Sequence, residues 1–419
     1  MSKNNENKLV PKLRFPEFLN EANWVEDTLV NIAGFRRGSF PQPYGLPKWY
    51  DDINGMPFIQ VYDVGDDFRL KPQTKNKISK IGAEQSVFIS KGTVIITIQG
   101  SIGRVAITQY DAYIDRTLLL FEEFYIELDK TFFAYLLFLL FEIEKLKAPG
   151  GIIKTITKEV LSQFVVKLPS PKEQQKIAAC LSSLDEVIAA ENQKLDILKD
   201  HKKGLLQNLF PQEGETVPKY RFKEFENSGE WVEKTLGEIG EPLMCKRIFK
   251  EETTPNPNNG IPFYKIGTFG RVADSYITKE IYEEYKSKYS FPKIGDILIS
   301  ASGTIGRLVI YDGSPAYFQD SNIIWLGHNE KQVLNSFLFY CYSNLEWQTS
   351  DGGIISRLYN SDFKRMTIFF PKNQKEQKKI ADTFSSIDDL INAQHQKIET
   401  LKLHKKGLLQ GLFPGVNEI

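Results

Sequence analysis

Two stretches of the chain carry apolar residues in an alternating four-three spacing. Ile177, Leu181, Leu184, Ile188, Leu195, Leu198, Leu205 and Leu209 form the first series, and Ile380, Phe384, Ile387, Ile391, Ile398, Leu401, Leu408 and Leu412 the second. This is the seam of a coiled-coil helix. Charged or amide residues interrupt each series twice, at Glu191 and Lys202 and at Gln394 and Lys405. A helix of this length runs about 57 Å at 1.5 Å per residue, more than an ordinary domain covers, so each seam predicts another helix as its partner. Elsewhere the pattern changes to the twofold alternation of strands, in MPFIQV at 56 to 61 and IPFYKI at 261 to 266. KGTVIITIQGSIGRVAI at 91 to 107 and KIGDILISASGTIGRLVI at 293 to 310 each read as two strands joined by a tight glycine turn. FFAYLLFLLFEIEKL at 132 to 146 reads as a helix buried in a domain, too short and too soon charged to span a bilayer.

These elements come in pairs because the chain is duplicated. Residues 173 to 211 recur at 376 to 414 with 24 of 39 positions identical. The repeat also takes in the openings VPKLRF at 10 to 15 and VPKYRF at 217 to 222, the two glycine turns, and Gly-Gly-Ile-Ile at 150 to 153 and 352 to 355. The expected fold is α+β: two mixed α/β domains, at 1–170 and 212–372, joined by spacer helices at 171–211 and 373–419. The second of these segments includes the C-terminal tail. Short connections favour an antiparallel coiled coil with pseudo-twofold symmetry. The helices agree between copies while the segments at 34 to 55 and 241 to 260 have little in common. Shared helices imply a shared task, and divergent segments imply two different recognition tasks.

Composition narrows the class only a little. Lys and Arg total 53 against 53 Asp and Glu, so the whole chain has no strong field and any nucleic-acid contact requires local clustering. Cys180, Cys245 and Cys341 are widely spaced and odd in number, which disfavours a disulfide framework or zinc site and suits a reducing cytoplasm. The polar N-terminus lacks the apolar core of a signal peptide. No phosphate loop, dinucleotide turn, HExxH or GxSxG motif is present, so neither catalytic nor metal-ligating residues are assigned. His201 and His404 are repeat mates that read as part of a solvated helical face.

The basic residues are more informative because they recur. Arg104 and Arg307 follow glycine turns that also carry Ser101 and Thr304. Such a turn can offer backbone N–H and hydroxyl donors to a phosphate, or it can be a hairpin whose arginine pairs with a local acid. Arg36 and Arg37, and Lys246 and Arg247, stand in the divergent segments, where long side chains can reach base edges. Lys154 and Arg357 follow the Gly-Gly-Ile-Ile landmarks, and Gln60, Tyr62 and Lys265 stand at the ends of the shared strands. These thirteen residues are the candidate DNA contacts.

On the paired PxLRF openings, the SGTIGR-type turns, the GGII junctions leading to EQQKIA and EQKKIA, and the HKKGLLQxLFP tails, the chain resembles the specificity subunit of type I restriction-modification enzymes over essentially its whole length. It departs from the usual turn at Ile98-Gln99, where the second copy has Ala301-Ser302. The resemblance implies a non-catalytic subunit that reads a split, asymmetric sequence in double-stranded DNA. It would direct two modification (methyltransferase) subunits and the restriction (translocase and nuclease) subunits. S-adenosylmethionine, ATP and magnesium would then belong to those partners. A coiled-coil scaffold for protein partners, and the specificity subunit of a restriction enzyme with fused cutting and methylating partners, are the alternatives.

Overall fold

The computed structural model describes residues 9–147, 156–258, 260–347 and 357–416. The chain divides into two compact units, Met1–Gln193 with His395–Ile419 and Lys194–Gln394. The long helices Pro171–Leu209 and Gln374–Leu412 each contribute one half to each unit.

The first unit is built on two four-stranded sheets. One is antiparallel throughout, in the order Ala33–Arg37, Leu118–Phe124, Val94–Thr97 and Val105–Ile107. The other runs Asn76–Ile78, Met56–Ile59, Ala112–Ile114 and Val87–Ile89, with a parallel pair in the middle. The expected glycine-turn hairpin is therefore present, pairing Val94 with Ile107. Helix Lys130–Lys147 packs its Phe132, Phe133, Leu137 and Phe141 into the core beside the first sheet. Asp129 starts that helix by accepting from the N–H groups of Thr131 and Phe132 at 2.9 and 2.8 Å.

The second unit repeats this plan with local departures. Its antiparallel sheet is Glu241–Leu243, Ile323–Gly327, Ile297–Ser300 and Leu308–Ile310. Its other sheet has three strands, Tyr276–Ile277, Ile261–Tyr264 and Tyr317–Phe318. Where the first unit has a single helical turn at Lys80–Ala83, the second has the ten-residue helix Lys279–Lys288. Each unit also ties its beginning to its end by a short antiparallel ladder, Val25–Thr28 with Val165–Leu168 and Val232–Thr235 with Thr367–Phe370.

The helix seams behave as their spacing requires. All sixteen predicted seam residues are buried or half-buried. In the first unit Lys405 meets Asp185 at 2.5 Å and Lys397 meets Glu191 at 2.5 Å, so the two segments run antiparallel. In the second unit Lys202 meets Asp388 at 2.5 Å, and Phe210 lies 6.1 Å from Phe384. The residues that break the apolar seam are thus largely the ones that form its ion pairs. A tyrosine of the domain helix joins each of two such pairs: Tyr135 donates to Asp185 at 2.5 Å, and Tyr340 to Asp388 at 3.1 Å.

The recurring motifs are structural ties between domain and helix pair. Arg14 forms a bidentate bond with Glu173 at 2.7 and 2.9 Å, and Arg221 one with Glu376 at 2.6 and 2.8 Å. The Arg14 guanidinium is held above its ordinary pKa by that carboxylate. Gln174 accepts from the Asp129 N–H and Gln377 from the Leu334 N–H, linking the first turn of each long helix to the start of a domain helix. Aromatic trios close both cores. Trp24, Phe132 and Phe413 meet in one, and Trp231, Phe337 and Phe210 in the other, with the phenylalanine pairs stacked at 5.3 and 5.4 Å. Each LFP tail therefore fills the core of the unit built around the other repeat.

Candidate nucleic-acid interface

The glycine turns are nearly superposable in their bonding despite the Ile98-Gln99 departure. Thr97 and Ser300 end equivalent strands, and each buries a hydroxyl that donates to a turn carbonyl, Ser101 O at 2.5 Å and Thr304 O at 2.6 Å. The same hydroxyls accept from the N–H groups of Arg104 and Arg307 at 2.9 and 2.8 Å. Gly103 and Gly306 sit at φ +89° and +81°, and an added Cβ would lie 2.9 Å from Phe141 Cβ and 2.2 Å from Trp347 Cδ1. Glycine is required there by backbone shape and by the close approach of an aromatic ring.

This bonding bears on both readings of the turn. The N–H groups of Gly103 and Gly306 are bonded to the carbonyls of Thr97 and Ser300, and that of Ile102 to Gly100 O. The turn commits these donors to its own hairpin, because the two strands must stay paired. What it presents outward is the exposed Ser101 or Thr304 together with the following arginine. Arg104 pairs with Asp66 at 2.9 Å and donates to Val64 O at 3.3 Å, the local-acid arrangement. Arg307 instead donates to Phe269 O at 2.8 Å. Beside the first turn lies a cavity of about 420 Å³ lined by Asp66, Phe68, Ser101, Arg104, Glu142 and Lys145, among others.

Next to each turn is the end of a shared strand. In the first unit Asp63 is almost wholly buried and accepts from the N–H groups of Gln60 and Lys75 at 2.8 and 2.9 Å, which fixes the chain at 60 to 63. Burial pushes the Asp63 carboxyl above its ordinary range, against those two bonds. Tyr62 donates to Gln60 Oε1, and Asn76 Nδ2 donates to the same oxygen at 2.7 Å and to the Tyr62 hydroxyl at 2.9 Å. Burial raises the Tyr62 phenol to about 12, so it stays a donor at neutral pH. Lys75 lies over the Tyr62 ring at 5.0 Å.

In the second unit the corresponding loop is fixed by Thr268, whose hydroxyl accepts from the Lys265 N–H at 3.1 Å. Lys265 Nζ pairs with Asp274 at 2.8 Å, and both side chains are well exposed. Gln319 accepts from the Ile266 N–H at 3.0 Å, and Ser302 donates to Asn322 at 2.8 Å. Arg357 is bridged to Ser302 and donates to Ser321 O at 3.2 Å. Phe269 links Lys265 to Arg307, donating its N–H to the Lys265 carbonyl and accepting from the Arg307 guanidinium.

The remaining candidates divide. Arg36 and Arg37 are not in a loop comparable to that of Lys246 and Arg247. They end the strand Ala33–Arg37, opposite Leu120 and Leu119, because Phe35 and Ala33 alternate into the core. Arg36 pairs with Glu122 at 2.5 Å on the exposed face. Lys246 lies over the Tyr289 ring at 5.1 Å, and Arg247 pairs with Asp320 at 2.9 Å. Lys154 and the Gly-Gly-Ile-Ile landmarks lie outside the described residues. Sequence reasoning missed Asn76, Asp274 and Arg116, the last lying over the Tyr44 ring at 5.2 Å. Strand register exposes the first two, since Phe58 pairs with Asn76 and Phe263 bonds to Ser275, next to Asp274.

Comparison with known proteins places these features in context. The model of the type I restriction modification DNA specificity domain matches residues 43–200 and again 228–403. A putative type I restriction enzyme specificity subunit of Haemophilus influenzae is 51% identical over 158 residues, 38% of this chain and 40% of that protein. The match to the putative MjaX specificity subunit of Methanocaldococcus jannaschii is 27% identical and covers 62% of this chain and 61% of that protein. The chain thus spans less than two thirds of the length of either. The MjaVIII specificity subunit of the same organism is 24% identical over 83% of this chain and 84% of its own length. Among solved structures, the type I restriction-modification S subunit from M. genitalium matches with a TM-score of 0.60 at 18% identity. That match covers 97% of this chain and 99% of the other.

Proposed function

Because this chain belongs to the type I restriction-modification DNA specificity family, we propose that it is the subunit that selects the DNA sequence and carries no active site of its own. Each unit reads one half of a split target in double-stranded DNA, and the halves differ. The observation that carries this reading is the contrast at one scaffold position. The same strand end beside the same glycine turn bears Gln60 in one unit, bonded to Tyr62 and Asn76, and Lys265 in the other, paired with Asp274. Arg104 and Arg307, beside their hydroxyl-bearing turns, supply phosphate contacts that position each unit without reading sequence.

The partners in this reading are two modification subunits, which methylate adenine with S-adenosylmethionine. Restriction subunits use ATP and magnesium, and the assembly works in the cytoplasm. The helix tails support docking of two identical partners. Gly204 and Gly407 are repeat mates inside the long helices, and a Cβ at either would meet nothing within 4 Å. Glycine in a helix interior costs roughly 0.5 to 1 kcal/mol relative to alanine, so its presence in both copies is accounted for by close approach of an external backbone. Near-zero net charge is consistent with partners that complete a positive clamp around the DNA.

The test is to map methylated adenines genome-wide in cells expressing the chain with a cognate modification subunit and in cells lacking the chain. A split, asymmetric motif that depends on the chain is the expected result. No new methylation, with the same modification subunit active alongside another specificity subunit, would refute the reading in favour of a protein scaffold.

A further inference from the structure

The strand end beside each glycine turn carries a defined set of hydrogen-bonding groups. Three features define the position in the first unit. Gln60 Oε1 is engaged by two donors, the Tyr62 hydroxyl and Asn76 Nδ2 at 2.7 Å. Asn76 Nδ2 is in turn bonded to the Tyr62 hydroxyl at 2.9 Å. Among the described residues, no partner is found for Gln60 Nε2 or Asn76 Oδ1, and neither belongs to the buried side-chain atoms left unsatisfied. The network therefore fixes both carboxamides. It uses the acceptor of one and the donor of the other, leaving an amide donor and an amide acceptor on neighbouring strands.

A donor beside an acceptor matches one base pair edge in the major groove. Adenine offers N7 as acceptor and N6–H₂ as donor, and glutamine and asparagine are the side chains that recognise this pattern. The equivalent position of the second unit follows from register and from the loop that anchors it. The Lys265 N–H bonds to Thr268 as the Gln60 N–H bonds to Asp63. Phe263 bonds across to Ser275 as Phe58 pairs with Asn76, which sets Asp274 where the first unit has Lys75. Lys265 Nζ and Asp274 Oδ1 lie 2.8 Å apart, an ammonium donor beside a carboxylate acceptor. The ammonium suits guanine O6 and N7, and the carboxylate suits the N4–H₂ of cytosine.

We propose that the strand end occupied by Gln60 and by Lys265 reads one base pair in each half-site, an A·T pair through Gln60 with Asn76 from the adjacent strand in the first unit, and a G·C pair through Lys265 with its ion-pair partner Asp274 in the second. The inference rests on the reading of the chain as a DNA specificity subunit and adds which bases the two halves contain. Tyr62 holds the carboxamides in the orientation that adenine requires and is a positioning residue.

The experiment uses the full chain with its modification subunit and reads the methylated motif by sequencing. Gln60→Glu replaces the free amide donor with an acceptor, and Asn76→Ala removes the acceptor from a different strand. Each should relax or change one base pair, an A·T in the wild-type motif, within one half-site, lowering methylation of the original sequence about tenfold or more. Lys265→Met should do the same to one G·C pair in the other half-site. Agreement of Gln60→Glu and Asn76→Ala at one position separates loss of reading from a local folding defect. The inference is overturned if the variants leave the motif intact, if they weaken every site uniformly, or if the relaxed positions are G·C for the first unit and A·T for the second. A wild-type chain that yields no motif overturns the specificity reading itself and this inference with it.

Discussion

The buried arginine–glutamate ties make the most exacting test of how the units are held together. Arg14 and Glu173 have side chains only 4% and 1% exposed, and two parallel hydrogen bonds join them. Arg14 also donates to the carbonyls of Glu21 and Ala22 at 3.2 and 3.1 Å. Replacing it in Arg14→Met preserves much of the volume but leaves a carboxylate buried with no cation. Breaking a buried pair from one side costs roughly 3 to 5 kcal/mol, because the remaining charge loses its compensation. For a unit of this size, at about 2 to 4 °C per kcal/mol, the midpoint should fall by about 6 to 20 °C. Urea unfolding gives the free energy, and hydrogen exchange locates it. Faster exchange should appear around residues 9 to 37 and 165 to 181 and leave the second unit largely unchanged. The double variant Arg14→Met with Glu173→Met removes both charges and should recover most of the loss. A single-variant loss below about 1 kcal/mol, or a double variant as unstable as the single, would show that the pair is solvated and that the motif serves another purpose.

Other expectations follow from the same contacts. Gly306→Ala forces a methyl group against Trp347 at positive φ and should destabilise by about 1 to 3 kcal/mol, more than Gly103→Ala, as measured by urea denaturation. Gly204→Ala with Gly407→Ala, by contrast, should raise stability by about 1 to 2 kcal/mol in the isolated chain while weakening assembly with the modification subunit, measured by titration calorimetry. Arg307→Ala should reduce affinity for specific and random DNA by the same factor and flatten the salt dependence, in contrast to the Lys265 variant. Burial pushes the Cys245 thiol up to about 12 and the Cys341 thiol further, so at pH 8 neither forms a thiolate. A disulfide reagent should therefore modify the half-exposed Cys180 first and the other two only on unfolding; prompt reaction of all three would contradict the burial.

Much of this architecture could be read from spacing because it rests on local periodicity. The four-three series located both long helices and their buried faces, and the β-branched runs around each glycine turn located the hairpins. Periodicity is silent on pairings made across the chain. Arg14 and Glu173 stand 159 positions apart, and nothing in either neighbourhood announces the other. The duplication did carry a usable signal, since Arg221 and Glu376 recur in the same sequence contexts and repeat the pair. Arg36 and Arg37 misled for a related reason. Two adjacent arginines beside Gly38 look like a loop, yet they complete a strand whose inward residues, Ala33 and Phe35, are only two in number. At Lys202 and Lys405 the breaks in the seam were visible, but their meaning was not, because each acid partner belongs to the opposite repeat.

That reciprocity bears on how one scaffold can acquire two specificities. The Arg–Glu ties, the Gln links to the domain helices, the Tyr–Asp–Lys contacts and the aromatic trios are all present twice with the same partners. They lie where each domain meets its helix pair. The divergent segments at 34 to 55 and 241 to 260 and the strand ends at Gln60 and Lys265 lie outside that frame. Arg36, Arg37, Lys246 and Arg247 are exposed there, whereas Phe40, Trp49, Cys245 and Ile248 of the same segments belong to the core. Substitution at those exposed positions costs little in folding, typically within about 0.5 kcal/mol, whereas a change at Glu173 or Glu376 is expected to cost several times more. A duplicated chain under such a split can exchange the groups that face a ligand in one unit without disturbing either the other unit or the helices they share. Amides at one reading position and an ion pair at the other are the form that freedom has taken here.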